Sequence, residues 1–279
     1  MDKVLELENI DISFGKLRVM KGLSFSINEG EIVGLIGHNG IGKTSVMNAI
    51  MGFVKFSGEI NLYSNTLFSL IDSPKLIDSL DGLSNIKYFL NDDFDMDMYT
   101  KYSCLLFPNG RLKEKVRTYS LGMKQKLKLL IVIASTANLY ILDEPFIGID
   151  SEGIRIINEA FLEKKKKGEA FLVSSHDIYE VEKICDRVIV LAAGKKKELS
   201  MNSFLQTNSY YFSFRNDKDL MHAKEMISNS QIVGKKLKIS VNKEDNISKY
   251  IKLVDDLSLE EVSLQKNDLK SFYDDIVRG

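Results

Sequence analysis

Five apolar residues, Ile32-Val33-Gly34-Leu35-Ile36, run directly into Gly37-His38-Asn39-Gly40-Ile41-Gly42-Lys43-Thr44, and these into Ser45-Val46-Met47-Asn48-Ala49-Ile50. This succession of buried strand, glycine-rich turn and helix start constrains the fold more than any other part of the chain. An unbroken apolar run suits a strand covered on both faces, as in a parallel sheet. The turn fits the pattern G-x-x-x-x-G-K-[ST]. Its glycines let the backbone curl until successive N–H groups point inward at an anion, and the helix adds its positive end. In such a loop Lys43 reaches the β- and γ-phosphates of a nucleotide, while the Thr44 hydroxyl ligates Mg²⁺. The competing reading is a turn that binds nothing; the Lys-Thr pair, the strand and the helix together argue against it. A nucleoside triphosphate site is therefore expected at Gly37, His38, Asn39, Gly40, Ile41, Gly42, Lys43, Thr44 and Ser45.

With 279 residues, 44% of them hydrophobic, the chain can bury one large core with something smaller beside it. A net charge of −1 provides no global basic field, so no nucleic-acid partner is expected. Cys104 and Cys185 lack C-x-x-C spacing, which argues for a reducing compartment and against a zinc site or disulfide framework. The start, Met1-Asp2-Lys3-Val4-Leu5-Glu6, is charged and lacks the apolar core of a signal peptide. Apolar runs such as Leu127 to Ala134 and Val188 to Ala193 are far shorter than the ~20 residues that span a bilayer. The chain is expected to be soluble, so action at a membrane would need another chain to bring it there.

Residues 1–30 read as strands with tight turns: Val4–Leu7, Ile10–Phe14 and Leu23–Ile27, closed by Asn28-Glu29-Gly30. Ser57–Tyr63 reads as a further strand, and residues 74–135 as mostly helical with an acidic loop at Asn91-Asp92-Asp93. Buried parallel-type strands follow at Leu139–Leu142, Ala170–Ser174 and Val188–Leu191, with helices between them, the mark of an α/β layer. The runs Lys164–Lys167 and Lys195–Lys197 read as solvated surface, the first at a helix end where cations are favoured. Beyond residue 200 the pattern changes to a strand at Tyr210–Arg215, a helix at Asp217–Ser228 and a strand at Lys236–Val241, with two more helix-like pieces flanking Leu257–Leu264. Residues 201–279 are expected to form a small α+β appendage to a domain of residues 1–200.

A second constellation is Leu139-Tyr140-Ile141-Leu142-Asp143-Glu144-Pro145. Two carboxylates emerge at the C-terminal end of a buried strand, where parallel sheets bind ligands. Beside a phosphate loop they suit a metal and a base: Asp143 in the Mg²⁺ shell, Glu144 polarising the attacking water. Between the two lies Tyr119-Ser120-Leu121-Gly122-Met123-Lys124-Gln125-Lys126, where a serine hydroxyl and open amides at a helix start offer another phosphate-binding end.

In order and spacing these segments resemble the ATP-binding cassette of ABC transporters, over residues 1 to about 200. The resemblance implies a P-loop NTPase α/β fold: a RecA-like parallel core, an N-terminal antiparallel β subdomain and a helical subdomain at about 74–135. It implies that Gly37–Thr44 is the Walker A motif, that Leu139–Glu144 is Walker B and that Ser120–Met123 is the signature motif, keeping its Ser120 and Gly122. Asp150 in Gly148-Ile149-Asp150 matches the D-loop, and His176 after Ser175 matches the switch histidine at the γ-phosphate. Phe14, before Gly15-Lys16, fits the aromatic that stacks on adenine, with core packing the alternative. The catalytic set is then Lys43, Glu144 and His176. The metal set is Thr44, Asp143 and, at the position of the missing Q-loop glutamine, Asp72. Leu121 and Met123 depart from the usual signature, yet Tyr-Ser-Leu-Gly-Met-Lys-Gln resembles the form in exporters for bacitracin, lantibiotics and other drugs. So does the tail ending Lys266–Phe272.

The family's mechanism implies ATP and Mg²⁺ as cofactors and a second cassette packed head to tail, as homodimer or heterodimer. It also implies a separate integral-membrane permease touched by the region from Asp72 to about Leu90, holding the chain at the cytoplasmic face of the membrane. A regulatory or weakly active cassette is the alternative that Leu121, Met123 and Asp72 raise. ABC-type DNA-repair and chromosome proteins, which share these motifs but carry a long coiled coil between Walker A and the signature, are disfavoured, because only about eighty residues separate the two motifs here and heptads are absent.

Overall fold

Short buried strands separated by helices build the parallel sheet that the pattern from residue 32 onward requires. The computed structural model describes residues 2–71, 75–91, 94–192, 195–267 and 269–278. The chain divides into two compact units, Met1–Leu199 and Ser200–Gly279. In chain order the first contains β1 (Lys3–Phe14), β2 (Leu17–Asn28), β3 (Ile32–Ile36), α1 (Lys43–Ile50), β4 (Phe56–Leu62), β5 (Leu67–Leu70), α2 (Gly82–Leu90) and α3 (Met96–Leu106). Two 3₁₀ turns, Pro108–Lys113 and Val116–Thr118, lead to α4 (Leu121–Ala134), β6 (Leu139–Leu142), α5 (Ser151–Lys166), β7 (Ala170–Ser175), α6 (Ile178–Glu182), β8 (Arg187–Ala192) and β9 (Lys195–Ser200).

The main sheet runs in the order β5-β6-β7-β3-β8-β9, and its first four pairings are parallel. Every residue of β3, β6 and β7 is buried, as expected of strands covered on both faces. Strand β5 goes unread in the sequence: it has only four residues, one of them Ser69, and three are only half-buried. A separate antiparallel sheet, β2-β1-β4, forms the N-terminal layer. There the two expected strands of residues 4–14 are one, carried across an irregularity at Asn9, whose φ is 51°. Apolar side chains of this sheet, among them Leu5, Ile10 and Ile27, share one core with Leu35 and Val46 from β3 and α1 and with Ile141 and Leu172 from β6 and β7.

The second unit contains α7 (Met201–Leu205), β10 (Thr207–Phe214), α8 (Asp217–Met226), β11 (Ser230–Val233), β12 (Lys236–Asn242), α9 (Ser248–Leu253), β13 (Leu259–Lys266) and α10 (Leu269–Arg278). Strands and helices from β10 to β13 follow a β-α-β-β-α-β order, and the antiparallel sheet runs β11-β12-β10-β13. This is the split βαβ arrangement. Phe212, Leu237, Ile239 and Val241 from one sheet face pack with Leu220 and Ala223 of α8 and Val254 after α9.

One lysine overturns its sequence reading. Lys164 is not solvated: its side chain is fully buried, and its ammonium donates to the Ser135 carbonyl (2.8 Å), the Tyr140 hydroxyl (2.8 Å) and Glu169 Oε2 (2.7 Å). Position 164 falls on the apolar stripe of α5 with Ile157, Ala160 and Phe161, so helix phase, not charge, decides where the side chain points. Burial pulls its pKa down and the Glu169 carboxylate opposes that pull. The ammonium thereby ties the C-terminal cap of α4 to strand β6 and to the start of β7. Removing one partner of a buried ionic cluster strands the others, so Lys164→Met is expected to cost about 3 kcal/mol. The exposed Lys166→Met is expected to cost under about 0.5 kcal/mol, with urea unfolding of both variants as the check.

Candidate nucleotide site

Strand register brings the sequence motifs together. Leu35 pairs with Ser174 and Ile36 with Ser175, while Leu142 pairs with Val173. The C-terminal ends of β3, β7 and β6 therefore lie side by side, and Gly37, His176 and Asp143 leave the sheet at the same edge, where ligands of parallel sheets collect.

The loop after β3 is shaped by Gly42, whose φ of 108° is closed to other residues and whose Cα lies so near β2 that an added Cβ would come within 2.6 Å of Val19 Cγ1. His38, Asn39 and Gly40 are exposed at its rim, while Ile41 packs on the core beneath. Helix α1 has no side-chain cap and no acidic residue in its first turn, which leaves its first N–H groups for an external anion. The Lys43 ammonium, 6% exposed, donates to the Gly37 carbonyl at 2.7 Å. Next to it, the Thr44 hydroxyl donates to Asp143 Oδ2 at 2.7 Å.

The two carboxylates are held differently. Asp143 Oδ1 accepts from the Ser174 hydroxyl at 2.5 Å, and that hydroxyl also accepts the Glu144 N–H at 2.8 Å. Glu144 itself has φ of 46°, a left-handed conformation that costs a non-glycine residue about 1–3 kcal/mol. Its Oε2 accepts from His176 Nδ1 at 2.7 Å and from the His176 N–H at 3.3 Å. Among the described residues its buried Oε1 has no hydrogen-bond donor, and it lies 3.3 Å from the Lys43 ammonium. Glu144 is thus aimed by a ring, an amide and a cation.

A hydroxyl and a carboxylate 2.7 Å apart are hard oxygen donors, and Mg²⁺ is commonly bound by one or two carboxylates together with substrate phosphates and water. Thr44 and Asp143 fit that role. Asp72 lies outside the described residues.

Ser120, Gly122 and Asp150 form a second cluster. Ser120 caps α4, its hydroxyl accepting from the Met123 N–H at 3.2 Å. Gly122 approaches the Gly148 carbonyl so closely that an added Cβ would lie 2.6 Å from it. Asp150 caps α5 through the Gly153 N–H (2.8 Å) and pairs with Lys126. Gln125 donates to the Pro145 carbonyl at 2.8 Å. These contacts tie α4 to the segment after β6 rather than to the glycine-rich loop. Phe14, at the end of β1, is 50% exposed, so its ring is not packed in the core.

Sequence reasoning missed Ser174 and Glu180. The signal for Ser174 was present, a serine at the end of the otherwise apolar Ala170–Val173. Ser174→Ala removes a donor from Asp143 and an acceptor from Glu144, and is expected to cost about 1–3 kcal/mol of stability. Its ATP hydrolysis rate should fall further than its ATP affinity, as steady-state kinetics and equilibrium binding would record. Glu180, on α6 behind His176, is pushed up to about 7 by burial first and by the Asp177 carboxylate second. The folded carboxyl then holds a proton that the unfolded chain loses at lower pH, so its ionisation destabilises the fold as pH rises through that window. Glu180→Gln should therefore be more stable than the parent protein at pH 8 and show no gain at pH 4 in urea unfolding.

The ABC transporter family description matches residues 20–147. The chain is 33% identical over 225 residues to the uncharacterized ABC transporter ATP-binding protein YdbJ of Bacillus subtilis (strain 168), covering 74% of this chain and 72% of that one. It is 30% identical over 207 residues to the lantibiotic transport ATP-binding protein SrtF of Streptococcus pyogenes (69% and 88% covered). It is 29% identical over 231 residues to the bacitracin transport ATP-binding protein BcrA of Enterococcus faecalis (77% and 75% covered). The fold matches the ADP conformation of MJ1267, an ATP-binding cassette of an ABC transporter, with a TM-score of 0.62 at 21% identity over 74% of this chain and 95% of that one. With this likeness in sequence and fold, the chain belongs to the ABC transporter family, as an ATP-binding and ATP-hydrolysing subunit.

Proposed function

We propose that this chain powers the export of a peptide or drug-like substrate through a separate membrane permease, hydrolysing ATP between two cassettes packed head to tail. The observation that carries the reading is Glu144, held by His176 and Lys43 beside the phosphate loop and the Thr44–Asp143 pair. Mg²⁺, when bound, neutralises charge on the β- and γ-phosphates, and Thr44 and Asp143 are the groups that would hold it. Lys43 adds a fixed cation to the same phosphates. Glu144 orients and polarises the attacking water, and His176 keeps its carboxylate turned toward the reaction. Phosphoryl transfer asks chiefly for positioning and charge stabilisation, so Lys43, Thr44, Asp143, Glu144 and His176 suffice on this chain's side.

The pairing reading rests on the second cluster. The Ser120 hydroxyl takes one first-turn amide of α4, the Met123 N–H, and the other amides of that turn are the ones that would serve the ATP of a partner cassette. Two copies of this chain would pair isologously. Export is supported by similarity to proteins named for lantibiotic and bacitracin transport. None of the helices among the described residues is long and apolar enough to cross a membrane, and the permease would hold the chain at the cytoplasmic face.

Glu144→Gln keeps the shape of the side chain and removes its charge. Hydrolysis should fall by about 10²–10⁴-fold with ATP binding retained. The mass in solution should shift from one chain to two on adding ATP, as light scattering would record. A variant that binds ATP and stays a single chain would reject the self-sufficient homodimer in favour of a different partner cassette.

A further inference from the structure

A second concavity, about 420 Å³, lies between α5 and α6, within the range of small-molecule sites. Among the described residues, none of the groups assigned above to ATP or Mg²⁺ lines it. One side is a stripe of α5 in which Ile154, Asn158 and Leu162 recur at helical spacing. The other is α6 and its flanks, with Asp177, Glu180 and Ile184. Ile154, Leu162 and Ile184 make the surface apolar. Asn158 is 8% exposed, and its side-chain oxygen accepts no hydrogen bond among the described residues. A buried amide oxygen without a donor is uncommon in native proteins.

The charges at the rim favour a cation. Arg155 is taken up by Glu152, at 3.0 Å from Nε, and by Glu159. Among the described lining residues that leaves Asp177, whose Oδ1 also caps α6 through the Tyr179 N–H, and Glu180 beside one lysine, Lys183. Glu180 is desolvated beside Asp177, and both conditions raise its pKa against the opposing pull of His176 and of the Ser175 hydroxyl, which donates to Glu180 Oε2 at 3.5 Å.

We propose that this cleft is a binding site for a small cationic amphiphile: an apolar body lying on Ile154, Leu162 and Ile184, and an ammonium group that donates to Asn158 and pairs with Glu180. The site is separate from the ATP site and is reached whether or not the transport reading holds. It is also next to the switch segment, since Asp177 follows the histidine that holds Glu144.

The test is titration of the full-length protein with hexylamine, with hexanol and hexanoate as matched probes, followed by calorimetry and amide chemical shifts. Hexylamine should bind saturably at one site and shift the amides of α5 and α6. Hexanol and hexanoate should bind about tenfold or more weakly, the scale of one charge-assisted hydrogen bond. Glu180→Gln should weaken hexylamine to the level of hexanol. Ile154→Trp, which fills the cleft from the half-exposed face of α5, should abolish binding. Asn158→Leu should weaken binding while retaining the apolar contact. ATP affinity, measured on each variant, identifies those that remain folded, and Glu180→Gln serves where a buried substitution does not. Equal affinity for hexylamine and hexanol, binding that survives Ile154→Trp in a protein that still binds ATP, or no saturable binding would each overturn the proposal.

Discussion

The whole site depends on one buried hydroxyl. Ser174 donates to Asp143 and accepts from the Glu144 N–H, while its own residue pairs with Leu35 of the strand that feeds the phosphate loop. Three strands are thereby fixed in register at the edge that carries the candidate site. Because side chains in a strand alternate between faces, a slip of one residue would turn this hydroxyl away and present Val173 or Ser175 instead. The parallel sheet, buried on both faces, makes such a slip costly, and the serine turns that rigidity into the placement of two carboxylates.

Electrostatics then decides what the carboxylates can do. Asp143 is bridged by two hydroxyl donors, a setting that suits a metal ligand. Glu144 sits in a strained backbone conformation, tied by its amide to Ser174 and by its carboxylate to His176, with Lys43 against the other oxygen. Strain of this kind persists where surrounding contacts over-determine it. The two acidic neighbours in sequence thus stand in different surroundings, because successive residues at the strand end meet different partners.

A second set of buried polar ties stiffens the surroundings. Lys164 joins the end of α4 to Tyr140 on the acidic strand, and Tyr140 stacks on Phe171 of β7 with ring centroids 4.7 Å apart. At the other end of α4, Gln125, Lys126 and Gly122 meet Pro145, Asp150 and Gly148. The helix that carries Ser120 is therefore fastened at both ends to the segment carrying Asp143 and Glu144.

Much of this was legible in the order of residues. The glycine-rich turn between an apolar strand and a helix, and the acidic pair closing Leu139–Leu142, are local patterns whose chemistry follows from backbone geometry and residue type alone. The buried strands β6, β7 and β8 declared themselves as apolar runs, and the change of pattern beyond residue 200 was visible in strand and helix spacing. What the sequence could not decide was adjacency. That β3 lies between β7 and β8, that Ser174 bridges two carboxylates, that Lys164 faces inward and that Asn158 lines a cleft all depend on which elements become neighbours. Local propensity carries no information about neighbours brought in from distant parts of the chain. Only packing, which buries one face of each element against another, assigns those partners and so settles which polar groups become a site and which become struts.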